Sequence, residues 1–198
     1  MASASWRSTS VPKQTFRLVT LIAAYSGMRL GEICTLRKED LQTVDGIPCF
    51  LIRPHRETDW APKTEAGTHM VPVHSKLIAA GLLTLKDITD GSYPIPGLET
   101  SKQGVRGAAL SRAFSLFKTR IDLPAEITFH SFRHTVSTQL RNAHTGIREV
   151  WIDRLLGHEA SHKSQGTATC LTGISTANLQ HTIEAITYPQ TAFANVTI

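Results

Sequence analysis

His130 and Arg133 stand three residues apart in HSFRHT, and 25 positions beyond Arg133 the run LLGH ends in His158. Far upstream, YSGMRLGEI carries Arg29. Arginine offers a planar fork that matches two non-bridging phosphate oxygens, and histidine exchanges protons near neutral pH. Three separated segments, each with a cation or proton carrier beside apolar helical sequence, suit gripping a phosphate diester and moving protons around it. At i and i+3 on one helix, His130 and Arg133 share a face. A lone HxxR is more often a cap or a surface ion pair, but HSFRHT followed by LLGH favours a site. Arg29 alone would read as a solvated arginine. Its glycine-bounded corner and Glu32, three residues on, supply a carboxylate that can orient the guanidinium or support a helix start. His158 alone reads as a C-terminal helix cap.

These side chains need elements to aim them. Apolar residues from Phe16 to Tyr25 recur at helical spacing, which predicts a helix over 14–26 that Gly27 ends. A short helix over 30–36 follows, so Arg29 occupies a helix–turn–helix corner, with Asp40 as cap of the next turn. CFLIRP and THMVPV are β-prone runs, giving an antiparallel hairpin or three-stranded sheet within 47–73, with Lys63 on or beside the strand leading into THMVPV. A helix starts after Ser75 as N-cap. The stretch DITDGSYPIPGLETSKQG, residues 87–104, is too poor in apolar residues to hold a core and reads as a long surface connection. Helices are expected over 105–121, from about His130 with Thr128 as cap, over 147–156 with Gly157 closing it, and over 175–186. The fold class is therefore α+β, mainly helical with a small antiparallel sheet.

At 198 residues with 41% hydrophobic and 19% charged side chains, the chain is long enough for one domain with a real core. A net charge of +5 favours a polyanionic partner without proving one. Cys34, Cys49 and Cys170 form no CxxC pair, which argues against a disulfide framework or a zinc knuckle. No long apolar run or secretory signal is present, so no membrane partner and an intracellular, cytoplasmic location are expected. Residues 1–12 read as a leader and 13–198 as the folded domain.

YSGMRLGEICTLRKEDL, KTEAGTHMVPVHSKL, HSFRHTVSTQL and WIDRLLGH resemble, in order, the motif segments of the tyrosine recombinase (phage integrase) catalytic domain. The resemblance spans roughly 14–190. It implies that Arg29 and Arg133 bind the scissile phosphate and stabilise the pentavalent transition state. It makes Lys63 the general acid for the 5′-oxygen, His130 a general acid/base, and His158 a hydrogen-bond partner of the phosphate or a positioner of the nucleophile. It implies no metal and no cofactor. The expected partner is double-stranded DNA, with tetrameric self-association on DNA in a full-length, bacterial or phage-encoded, nucleoid-associated protein. The helical DNA-clamping domain that such proteins carry upstream is expected to be absent from this chain.

The departure is at the nucleophile. The window after His158 where the family places its tyrosine contains none, and SQGTATCLTG puts Cys170 at that site. Cysteine is shorter than tyrosine, and its thiol is protonated near neutral pH unless activated. Tyr188, 30 residues after His158, is the rival nucleophile. Two alternatives stay open: a catalytically silent DNA-binding domain of the same fold, and a helical interaction protein whose basic residues are surface ion pairs.

Overall fold

The longest helix among the described residues of the computed structural model, α1 (Lys13–Ser26), buries ten of its 14 residues and passes through the centre of the domain. The model describes residues 10–55, 57, 60–62, 64–102, 104–144, 146–158 and 174–189. A helix apolar on nearly every side must be covered on every side. Around α1 lie α2 (Leu30–Thr35), α3 (Ser75–Ala79) and α6 (Ser131–Asn142), and α6 also packs on α7 (Glu149–Leu156). Gly27 ends α1 at φ 65°, its N–H donating to the Ala23 carbonyl at 3.0 Å. A Cβ there would lie 2.8 Å from Leu156 and 2.9 Å from Val136, so α6 and α7 press directly on this corner.

The sheet has three antiparallel strands in the order β1 (Leu41–Val44), β2 (Ile47–Ile52), β3 (His69–Pro72). It begins six residues earlier than 47–73. The missed strand β1 buries only Leu41 fully, so its apolar signal is weak. Its cue was the Asp45-Gly46 pair, at φ 51° and 78°, between the facing residues Val44 and Ile47. Two adjacent positive-φ residues make the turn whose twist suits a two-residue hairpin. Helix α8 (Thr176–Glu184) packs on β3 and on α7. Its first residue, Thr176, donates its hydroxyl proton to the Asp45 carboxylate at 2.7 Å.

Other expectations need correction. Asp40 caps no following turn; its carboxylate reaches back to the Arg37 N–H at 2.8 Å. Ser75 is the first residue of α3, and His74 is the cap, its Nδ1 accepting from the Lys76 N–H at 3.0 Å. Thr128 makes no side-chain cap; His130 is the N-cap of α6. α5 (Ala108–Arg120) starts only after Gly107, which takes φ 88°. α7 starts at Glu149 rather than at 147. Between α4 (Leu85–Ile88) and α5 the connection is long, as expected, but it does feed the core: Ile95 and Leu98 are buried. Arg106 ties it down. Its guanidinium lies 3.7 Å over the Tyr93 ring and donates to the carbonyls of Cys34 (2.8 Å), Ile95 (3.2 Å) and Leu98. Among the described residues no helix is long and apolar enough to cross a membrane.

Candidate active site

Two helix corners meet, and the basic residues collect where they touch. The first is the α1–α2 corner. Arg29 is the N-cap of α2 and Glu32 its third residue, so the Glu32 carboxylate reaches back to the Arg29 N–H at 2.7 Å. The same carboxylate takes the Arg29 guanidinium at 2.6 Å. Glu32 is 4% exposed and Arg29 41%, so a buried acid holds a cation at the edge of solvent. The second corner closes α7, where Gly157 takes φ 60°. Arg29 reaches across to the Gly157 carbonyl at 3.5 Å.

Arg133 joins the two corners from below. It is buried, donating to the Gly27 carbonyl at 3.1 Å and to the Leu156 carbonyl. Both acceptors are helix C-terminal carbonyls, which lack intrahelical partners and carry the negative end of the helix dipole. Burial first, then Arg29, pushes the Arg133 guanidinium down to about 10, with Glu32 opposing. It remains cationic at neutral pH.

The histidines complete the rim. His130 is exposed, its ring edge-on to His134 at 4.8 Å. Its pKa is below the ordinary value through partial desolvation, then through His134, Arg133, Arg29 and His158. His158 lies 3.4 Å from the Asp153 carboxylate through Nδ1. Its pKa is also lowered, by burial and Arg133, with Asp153 opposing. His130 and His158 are therefore biased neutral near pH 7, able to accept or donate a proton.

A family model described as "Phage integrase family" matches residues 4–165. The chain belongs to the phage integrase family. It is 30% identical over 154 residues to transposase B from transposon Tn554 of Staphylococcus aureus, and 27% identical over 155 residues to transposase B from transposon PsiTn554 of the same species. Each alignment covers 72% of this chain and 22% of the relative, so the chain spans under a quarter of the length of these relatives. Among solved structures it is similar to XerA recombinase, at 20% identity and a TM-score of 0.46, covering 90% of this chain and 65% of that one.

Of the integrase-like residues expected from sequence, Arg29, Glu32, His130, Arg133 and His158 come together at the two corners. Lys63 and Cys170 lie outside the described residues. Tyr188 is held elsewhere. Its hydroxyl donates to the Ala24 carbonyl at 3.0 Å, its ring meets Tyr25 edge-on at 5.2 Å, and burial pushes its pKa up to about 12.

Sequence reading missed Asp153 and His69. Asp153 was legible only through the corner geometry that returns the chain over the last turn of α7. His69, on β3, is buried against Gly157, and its Nδ1 donates to the Gly67 carbonyl at 2.7 Å. Its Nε2 has no hydrogen-bond partner among the described residues. Among the described residues, Glu39, Asp40 and His55 form a group of potential metal ligands. The Asp40 carboxylate is already engaged by Arg53 (2.8 Å), His55 (2.8 Å) and the Arg37 N–H, an arrangement that ties β2 to the start of β1.

Proposed function

We propose that this integrase-family chain is the catalytic domain of a DNA site-specific recombinase, cutting and rejoining strands through a 3′-phosphotyrosyl link. One observation carries the reading. The Arg29 cation helps hold down the pKa of the buried Arg133 guanidinium, the buried Glu32 carboxylate pairs with Arg29 and opposes that shift, and two histidines border the site. Like charges gathered this way are unfavourable until an anion arrives, and a phosphate diester brings the missing negative charge.

In this scheme Arg29 presents its guanidinium to a non-bridging phosphate oxygen, with Glu32 keeping the fork oriented. Arg133 uses two donors on helix-end carbonyls, and its remaining N–H groups stabilise the equatorial oxygens of the transition state. Removing one such donor typically costs about 2.7–4 kcal/mol. His130 transfers protons at the attacking oxygen, His158 donates to the phosphate, and Lys63 protonates the 5′-oxygen leaving group. Double-stranded DNA is the substrate. Residues 13–198 form the catalytic domain, and tetrameric assembly on DNA belongs to the full-length protein, acting at the nucleoid.

A second reading is favoured by the nucleophile. Cys170 occupies the expected tyrosine position, and the Tyr188 hydroxyl is committed to Ala24. The chain as written then grips DNA and cleaves it poorly. Misplacing an attacking atom by 1 Å can cost about 10²-fold, and a thiol at a site shaped for tyrosine misses by more. A nicked suicide duplex of the recombination site separates the readings, because only a working nucleophile becomes trapped. We expect little trapping by the unsubstituted chain and covalent attachment by Cys170→Tyr. Robust trapping that disappears in Tyr188→Phe would make Tyr188 the nucleophile. Absence of salt-sensitive DNA binding would sink both readings.

A further inference from the structure

The corner after α7 brings together two side chains that the reaction scheme leaves unpaired in sequence. His158 donates its backbone N–H to the Asp153 carbonyl at 2.9 Å, and Gly157 donates to the Arg154 carbonyl at 3.3 Å. These are the two bonds of a Schellman closure, which folds the second residue past the helix, His158, back over Asp153, the fourth residue from the end of α7. In most such closures the side chains that meet there are apolar. Here they are an imidazole and a carboxylate, with Nδ1 3.4 Å from Oδ1 and Asp153 only 9% exposed at its side chain.

We propose that Asp153 is a positioning residue for His158: it accepts the Nδ1 proton, fixes the tautomer, and leaves Nε2 facing the corner shared by Arg29 and Arg133. The second half of the inference rests on the phosphate reading of that corner. A phosphate oxygen arriving at Nε2 finds the ring held between two anionic groups, so the imidazole takes one proton from solvent as the phosphate binds. It then donates to Asp153 through Nδ1 and to phosphate through Nε2.

The surroundings bear on this balance from every side. Arg133 from α6 and Arg29 from the α1–α2 corner disfavour the second proton, as does burial. His130 at the start of α6 interacts with the same ring, and His69 from β3 packs against Gly157. Arg141, also on α6, approaches the same Asp153 oxygen at 3.7 Å while holding Glu149 at 2.5 Å. Asp153 is the carboxylate that favours the imidazolium. Without it, Arg133, Arg29 and burial would act on His158 unopposed.

The test is ¹⁵N imidazole NMR on the full chain, with and without random-sequence duplex DNA at low salt, for the unsubstituted protein and Asp153→Asn. The expected result is an Nδ1–H tautomer above pH 7. Loss of the carboxylate should lower the His158 titration midpoint by about one pH unit, the size of effect a neighbouring opposite charge produces. DNA should raise that midpoint in the unsubstituted chain and raise it less in Asp153→Asn. An Nε2–H tautomer in the unsubstituted chain overturns the inference, and this needs no variant to fold. An unchanged tautomer and midpoint in a folded Asp153→Asn overturns it equally. If DNA leaves His158 undisturbed while the tautomer is as expected, the orienting contact stands and the phosphate reading of this corner fails.

Discussion

Gly157→Ala strikes the point where the two corners meet. Two separate costs follow from its surroundings. At φ 60° an alanine sits in the left-handed region, which costs roughly 1–2 kcal/mol. Its new methyl carbon would also lie 2.6 Å from two atoms of the buried His69 ring and 3.1 Å from the Ala66 carbonyl. Forcing extra volume into a closed site costs about 1–3 kcal/mol more. The sum, about 2–5 kcal/mol, corresponds to a fall in Tm of roughly 4–20 °C for a chain of this size. Gly46→Ala is the matched control: φ is 78°, and nothing lies within 4 Å of the added carbon, so it carries the strain alone. Thermal and urea unfolding by circular dichroism should therefore rank Gly157→Ala below Gly46→Ala by about 1–3 kcal/mol. The displaced corner also carries the Leu156 and Gly157 carbonyls that hold Arg133 and Arg29, so duplex-DNA affinity should fall in Gly157→Ala and stay level in Gly46→Ala. Equal destabilisation by the two substitutions would refute the packing argument.

Further outcomes follow from the same contacts. His69, His74, His130 and His158 all have pKa values below the ordinary 6.5, so the unfolded chain binds more protons just under that pH. Their effect on stability is flat above about 6.5 and turns against the fold as pH drops. A Tm at pH 5 equal to or above that at pH 7.5 would contradict this. Arg133→Lys keeps the charge but cannot bridge the Gly27 and Leu156 carbonyls together; it should cost about 1–3 kcal/mol of stability. It should also weaken DNA binding while leaving the salt dependence nearly unchanged, measured by a titration at several salt concentrations. Arg106→Ala frees three carbonyls and the Tyr93 ring, and should cost about 2–4 kcal/mol, by non-additive loss of hydrogen bonds. Limited proteolysis should then cut between 89 and 107 faster than in the unsubstituted chain.

Much of this protein follows from local pattern. The buried face of α1, the glycines that end α1 and α7, and the three-residue spacing of His130 and Arg133 are set by helical periodicity and by the positive φ that glycine tolerates. Those features put Arg29 and His158 at corners before any tertiary contact is considered. β1 was also written locally, in the Asp45-Gly46 turn, and was missed because a strand with one fully buried residue leaves little apolar trace. What only the tertiary structure decided is how the corners meet. The sequence puts Arg133 in a site beside His130 but says nothing of its burial. Arg133 is buried because two helix ends from distant segments expose carbonyls at one place, and only packing of α6 against α1 and α7 brings those carbonyls within reach. The pairing of His158 with Asp153, the burial of His69 against Gly157 and the commitment of the Tyr188 hydroxyl to Ala24 arise in the same way. Each depends on the distance between atoms far apart along the chain or folded back at a corner, a quantity that residue type and spacing do not encode.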